Sequence, residues 1–281
     1  MTFQKTYVIS VLLAHTIFAR AQENHTYKLS DTLHEVSGME QLDDTTLLMI
    51  NDGGNNASIY LTDFQGNIQK EVGLLGTKNV DWEDLAADST HVYIADIGNN
   101  LNQRRDLVIY KVQKSDLWKK ENVTPEVIRF NYGEQTAFPP AKEKWRFDAE
   151  ALAVYGDSLF IFTKDRTKPG DRKSWVYTLP KKAGTYEVKR SAEIFLGKRG
   201  FWFDAVTAAD VFGNRFYIST YNRMIALEYV NGTFKQVKQT SYDTITQKES
   251  LLFISEKHVL VADEKFRFLG GKLYHIFLDH D

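Results

Sequence analysis

Five acidic residues recur along the chain in one setting, an acid followed by small and apolar residues: Glu35 in EVSGM, Glu83 in DWEDLA, Glu150 in DAEALA, Asp204 in FDAVTA and Glu249 in KESLLF. Other carboxylates stand beside them or close the apolar runs that follow, among them Asp52, Asp81, Asp96, Asp148 and Asp263. Carboxylates gathered in one place cannot all ionise cheaply, so some must take a proton, pair with a cation or bind a metal. Calcium suits such a set because it accepts many oxygen ligands in flexible geometry, and magnesium shares the preference. With no cysteine, and with none of the 7 histidines in a paired ligand spacing, no zinc site is expected.

The expected metal ligands are therefore Glu35, Glu83, Glu150, Asp204 and Glu249, with calcium as the cofactor. Asp52, Asp81, Asp96, Asp148 and Asp263, together with the cations Arg105, Lys164 and Arg223, are expected to line an adjoining ligand site. A mixed field of carboxylates and cations suits a phosphorylated or carboxylated ligand with metal bridging the acids. The same repetition admits a structural use, in which each acid accepts backbone hydrogen bonds beside a turn and ties one repeat to the next. Trp82, Trp145 and Trp202 lie near the acidic motifs, where they either stack on a ring-bearing ligand or fill the core. No G-x-S-x-G elbow and no phosphate-binding glycine loop occurs, so nucleophilic catalysis has no sequence support.

The elements that must position these acids repeat with them. An apolar run ending in polar residues follows each acid: LLMIND, VYIADIGNN, LFIFTKD, FYISTYN and VLVADE. A third run carries a tyrosine, and the distance from acid to tyrosine is 25 residues (Glu35 to Tyr60), 27 (Glu83 to Tyr110), 27 (Glu150 to Tyr177), 25 (Asp204 to Tyr229) and 25 (Glu249 to Tyr274). A fourth run, as in NIQKEVGLL, EVIRFNYG, TYEVKRSAEIF and TFKQVKQT, alternates polar and apolar residues, as an outer strand with one wet face does. Glycine, asparagine and aspartate mark the joins, and no long segment keeps a helical period.

Each repeat is thus a four-stranded antiparallel meander, and five of them make an all-β propeller. The fifth repeat lacks an outer strand, and His25–Leu33 supplies one, which would close the ring and remove an open edge. Residues 22–281 divide into 52 per blade, whereas the alternative of six blades needs a copy that is not found. With its acids repeated at one end of each innermost strand, such a ring carries them at one mouth of its central channel.

Composition bounds the partners. Net charge of −2 gives no electrostatic reason to expect nucleic acid or an anionic membrane, and the chain is expected to act as a monomer on a small-molecule or protein ligand. Lys5, the apolar stretch from Thr6 to Ala19 and the A-x-A pattern Ala19-Arg20-Ala21 read as a signal peptide over residues 1–21, cleaved after Ala21. That apolar stretch is short of a membrane span, and residues 22–281 hold no other candidate, so a secreted or periplasmic single-domain protein is expected.

Through EVSGM, DWEDLA, IADIGNN and FDAEALA the chain resembles secreted bacterial propellers of the phytase-like group (esterase-like activity of phytase), and it is similar in pattern to calcium-dependent, gluconolactonase-like propellers. The resemblance implies channel-mouth acids that bind a metal engaging phosphate or lactone oxygens, a role that would fall to Glu35, Glu83, Glu150 and Glu249. Two functions follow: a binding propeller with a divalent cation at its mouth, or a calcium-dependent phosphoesterase or related hydrolase.

Overall fold

The computed structural model describes residues 18–20 and 22–278. Five sheets follow one another around a central channel, each an antiparallel meander with its first strand innermost. Blade one is Val36–Asp43, Thr46–Asn51, Ser58–Thr62 and Ile68–Leu74. Blade two is Trp82–Ala87, His91–Asp96, Val108–Gln113 and Glu126–Tyr132. Blade three is Asp148–Tyr155, Ser158–Lys164, Lys173–Pro180 and Arg190–Phe195, and blade four is Ala208–Phe212, Arg215–Thr220, Arg223–Val230 and Thr233–Ser241. Blade five takes Lys248–Ser255, His258–Asp263 and Lys272–Phe277 from the end of the chain and Gln22–Lys28 from its start, paired antiparallel.

The five-blade count and the closure by an N-terminal strand hold. That strand ends at Lys28 instead of Leu33, because Ser30 caps a 3-10 turn over Asp31–Leu33 by accepting from the Thr32 N–H. The expected fourth run of blade three divides in two. Gly184–Val188 joins blade two as a parallel outer strand, and only Arg190–Phe195 stays in its own blade. The expected targeting segment lies outside the described residues, apart from Phe18–Arg20, which pairs parallel with Gln239–Ser241 on the edge of blade four. No helix among the described residues is long and apolar enough to cross a membrane, which says nothing of crossing by strands.

The patterning follows from position. A second strand is covered on both faces by neighbouring blades, so its middle is continuously apolar, as Leu47–Ile50 is within Thr46–Asn51, and every residue of that strand is buried. The outer strand Glu126–Tyr132 alternates between exposed and buried residues from Ile128 onward. Five apolar clusters fill the five clefts between adjacent blades, the last joining blade five to blade one through Leu260, Leu273, Leu47 and Met49. Trp82, fully buried, belongs to the cluster between blades one and two.

Within the channel, acids on the innermost strands tie blades together. Glu40 accepts a hydrogen bond from the Ala87 N–H (2.8 Å), and Asp210 accepts one from Phe253 (2.7 Å). Asp84 accepts from Leu152 (2.8 Å) and Ala209 (3.4 Å), and so joins blade two to blades three and four. Burial, with the nearby Asp210 charge, pushes Glu40 up to about 8, and burial pushes Asp210 up to about 6. These three make ties of the kind foreseen for the repeated acids.

Candidate functional site

The mouth of the channel is built by a β-bulge near the start of the innermost strand. The pairing register skips Ser37 in blade one, Glu83 in blade two, Glu150 in blade three and Glu249 in blade five. A bulge leaves one residue out of the ladder and re-aims its side chain. In blade four the N–H of Thr207 bonds to the Ser219 carbonyl just ahead of the first ladder pair, so Thr207 holds the matching place. The recurring position therefore carries Ser37, Glu83, Glu150, Thr207 and Glu249, three acids and two hydroxyls.

Glu35 and Asp204 stand elsewhere. Glu35 precedes the bulge by two residues, half-exposed beside His34, and accepts from the Asn55 amide (2.6 Å). Asp204 ends the short helix Phe201–Asp204, accepts from the N–H groups of Arg199 (2.6 Å) and Gly200 (2.9 Å), and pairs with the buried Arg223 (2.8 Å). Arg223 also donates to the carbonyls of Leu196 and Phe203, so this pair clasps a loop of blade four. Asp263 is spent on Lys272, Thr246 and Tyr274 within blade five. Asp96 pairs with Arg104 (2.8 Å) and accepts from the Asp81 N–H, one layer behind the mouth. Arg105 lies over the Phe138 ring and lines a separate cavity.

The remaining expected residues converge. Carboxylate oxygens of Glu83, Glu150 and Glu249 lie within 4.8 Å of one another, and so do those of Asp52, Asp81 and Glu83. Glu83 belongs to both groups. Glycines make the close approach possible: a Cβ on Gly98 would stand 2.1 Å from Glu83 Oε1, and one on Gly53 would stand 2.7 Å from Asp81 Oδ1.

The two groups differ in their counter-charges. Glu150 is flanked by Lys164 Nζ (2.6 Å) and Arg166 Nη2 (3.1 Å), and Arg166 Nε also bonds Asp148. Burial raises the Glu150 pKa, but Lys164 and Arg166 outweigh it and hold the group below the usual carboxylate range. Burial and the Glu150 charge push Asp148 up to about 7 against Arg166. Lys164 also donates to the Tyr221 hydroxyl (3.0 Å), which in turn faces Glu249.

Among the described residues Asp52, Asp81 and Glu83 form no ion pair, although the Arg104 and Arg166 charges act on Asp81 from further off. Burial, opposed by the Gly53 N–H but reinforced by Glu249 and Asp81, pushes Asp52 up to about 8; burial pushes Asp81 up to about 6. Glu83 is raised well above its ordinary value by burial and by Glu150, Asp52 and Asp81. It is 4% exposed, and among the described residues its carboxylate has no hydrogen-bond or ion-pair partner. Asp52, Asp81 and Glu83 thus offer a hard, all-oxygen donor set, with Asp52 and Asp81 half-buried and Glu83 buried, which fits calcium or magnesium.

Beside this centre lies a cavity of about 460 Å³ reached by Lys164, Arg166, Tyr221 and Glu264 and walled by Phe201, Trp202, Phe266 and Leu269. Burial, with the Glu249 and Asp52 charges, pushes Glu264 up to about 9. Arg166, Tyr221 and Glu264 lie in the site but outside the expected set. The available signal was position: Asp52, Lys164 and Glu264 each follow the residue that pairs just before the bulge, and Tyr221 follows the end of the second strand of blade four. Of the tryptophans, Trp202 stands exposed at this cavity, while Trp145 lies under the Lys142 ammonium (3.0 Å).

No protein-family model and no curated protein matches the sequence. Among solved structures the fold is similar to that of glutaminyl cyclase from Myxococcus xanthus, with a TM-score of 0.58 and 10% identity over 94% of this chain and 99% of that one. It is also similar to virginiamycin B lyase from Staphylococcus aureus, with a TM-score of 0.43 and 13% identity over 90% and 69% of the two chains. At such identities the likeness is one of fold.

Proposed function

We propose that this protein is a secreted or periplasmic binding propeller whose channel mouth holds a divalent cation, calcium foremost, and presents it to a ligand in the adjoining cavity. The observation that carries this reading is Glu83: a buried carboxylate without a partner among the described residues, shared between two groups of acids. Asp52, Asp81 and Glu83 are the ligands, and Glu150 and Glu249 form the wall behind them. A cation there relieves the repulsion that raises their pKa values, and metal binding displaces their protons. Cleavage after Ala21 leaves Gln22–Lys28 in place to close the ring.

Calcium titration of the purified protein by calorimetry, with thermal melts in calcium and after its removal, tests the reading. One stoichiometric site and a higher melting temperature are expected. No heat and no shift would contradict it.

A second reading, a calcium-dependent phosphoesterase or lactonase-like hydrolase, is supported by the cations Lys164 and Arg166 beside the acids and by the sequence resemblance to phytase-like propellers. Phosphatase activity that requires calcium and disappears in Glu83→Ala would establish it. Glutaminyl cyclase activity, named for the fold neighbour, belongs in the same screen.

A further inference from the structure

A second cavity, of about 490 Å³, adjoins the first and shares Arg166 and Phe201 with it. Its lining is cationic: Lys142, Arg166, Lys168 and Arg172 face a single carboxylate, Asp165. That carboxylate is already engaged. Asp165 accepts from the Thr167 N–H (3.0 Å), the Thr167 hydroxyl (2.5 Å) and the Arg172 N–H (2.8 Å), and it lies 3.6 Å from both Arg146 and Arg172. Its role is to fold the loop of residues 165–172 around itself. The Arg166 N–H bonds the Trp145 carbonyl (3.1 Å), which ties this loop to the segment that carries Lys142. Lys142 and Lys168 have no carboxylate partner among the described residues. Burial and the charges of Lys168 and Arg166 press the Lys142 pKa down, as expected where cations crowd without an anion.

The first cavity is of opposite character. Trp202 (65%), Phe266 (57%), Leu269 (65%) and Ile245 (63%) are exposed around one opening. Single exposed apolar residues are ordinary on a protein surface, whereas a contiguous group at a concave site marks a place where something binds. A cationic chamber and an apolar chamber joined at Arg166 and Phe201 are complementary to one molecule with two ends.

We infer that the ligand of this mouth is an organic anion with an apolar or ring-bearing body, its sulfate, phosphate or carboxylate group held by Lys142, Lys168 and Arg172 and its body lying against Phe201, Trp202 and Phe266. The inference rests on the mouth being a ligand site but not on the metal, because the cations belong to the chain. Both loops are held by hydrogen bonds before any ligand arrives, so little ordering opposes binding.

The test is calorimetry at fixed ionic strength with 4-nitrophenyl sulfate, 4-nitrophenol and inorganic sulfate, with calcium present and after its removal. The ester should bind at least about tenfold tighter than either fragment, because one molecule then fills both chambers. The double substitution Lys142→Gln/Lys168→Gln should reduce the ester to the affinity of the phenol, and Trp202→Ala should weaken it by about tenfold. Equal affinity with and without calcium is expected, even if calcium itself does not bind. An ester no tighter than the phenol, an ester indifferent to the double substitution, or binding that appears only with calcium would each overturn the inference. 4-Nitrobenzoate and 4-nitrophenyl phosphate in the same series identify which anionic group the chamber prefers.

Discussion

Glu83 and Asp84 are adjacent in the chain, both almost fully buried, and both raised in pKa chiefly by that burial. Their company differs. Asp84 lies inside the channel, where its carboxylate accepts the N–H groups of Leu85, Leu152 and Ala209 and so binds three blades together. Glu83 is the residue skipped by the bulge; it turns to the mouth, where it lies among other carboxylates and has no hydrogen-bond donor among the described residues. A carboxylate whose lone pairs are met by backbone donors is part of the scaffold. One left without donors, at similar burial, is a demand for a proton or a cation. The bulge divides one acidic pair into these two roles.

The largest effect expected from breaking this contrast is at Asp84. Asp84→Ala leaves three N–H groups of innermost strands without that acceptor, and at about 1–3 kcal/mol for each buried unsatisfied group the loss of stability should reach about 3–5 kcal/mol. Equilibrium denaturation measures it. Asp84→Asn keeps one acceptor oxygen and should cost about 1–2 kcal/mol.

Glu83→Gln should spare the fold and weaken calcium binding by about 100-fold or more, since even outer-shell partners of a metal commonly matter by about 10–100-fold. Calorimetry on the folded variant reads this directly. An unchanged affinity would move the cation site away from the bulge.

The smallest effect is graded with pH. Raised carboxylates bind more protons in the folded than in the unfolded chain, so stability without calcium should fall as pH rises above the ordinary carboxylate range. Between pH 6 and 8 the groups still titrating include Asp210 at about 6, Asp148 at about 7 and Glu40 at about 8, and, among the calcium ligands, Asp81 at about 6 and Asp52 at about 8. Calcium must displace the protons of those ligands, so its affinity should rise across the same window by up to about tenfold per pH unit for each proton displaced. Melts with and without calcium at several pH values should show the two trends with opposite sign.

The fold was legible because its cause is repetitive. Acid, apolar run and tyrosine recur at nearly constant spacing, and Tyr60, Tyr110, Tyr177, Tyr229 and Tyr274 all fall on third strands. The site was legible in part, because residue type and residue position came apart. Matching acid to acid aligned Glu35 and Asp204 with Glu83, whereas register aligns Ser37 and Thr207 with it, two and three residues further on. A bulge is a backbone event with no acidic signature, so the shift cannot be seen in residue type. The division of Gly184–Val188 from Arg190–Phe195 escaped for a related reason: two strands that alternate in the same way, joined at Lys189, read as one. Blade locking by carboxylates was foreseen for the repeated acids, and the ties between innermost strands are made by other acids. Glu40 and Asp210 lie outside the repeated motif, and Asp84, next to Glu83 in DWEDLA, reads in the sequence as one more acid of the mouth.

The most direct test is the calcium-induced shift in melting temperature of Glu83→Gln measured beside Asp84→Asn and the unmodified protein. Asp84→Asn should melt lower yet gain stability from calcium as the unmodified protein does, while Glu83→Gln should melt no lower in the absence of calcium and gain nothing from it. A calcium shift that survives in Glu83→Gln, or one absent from all three proteins, would contradict the assignment of the channel mouth as a cation site.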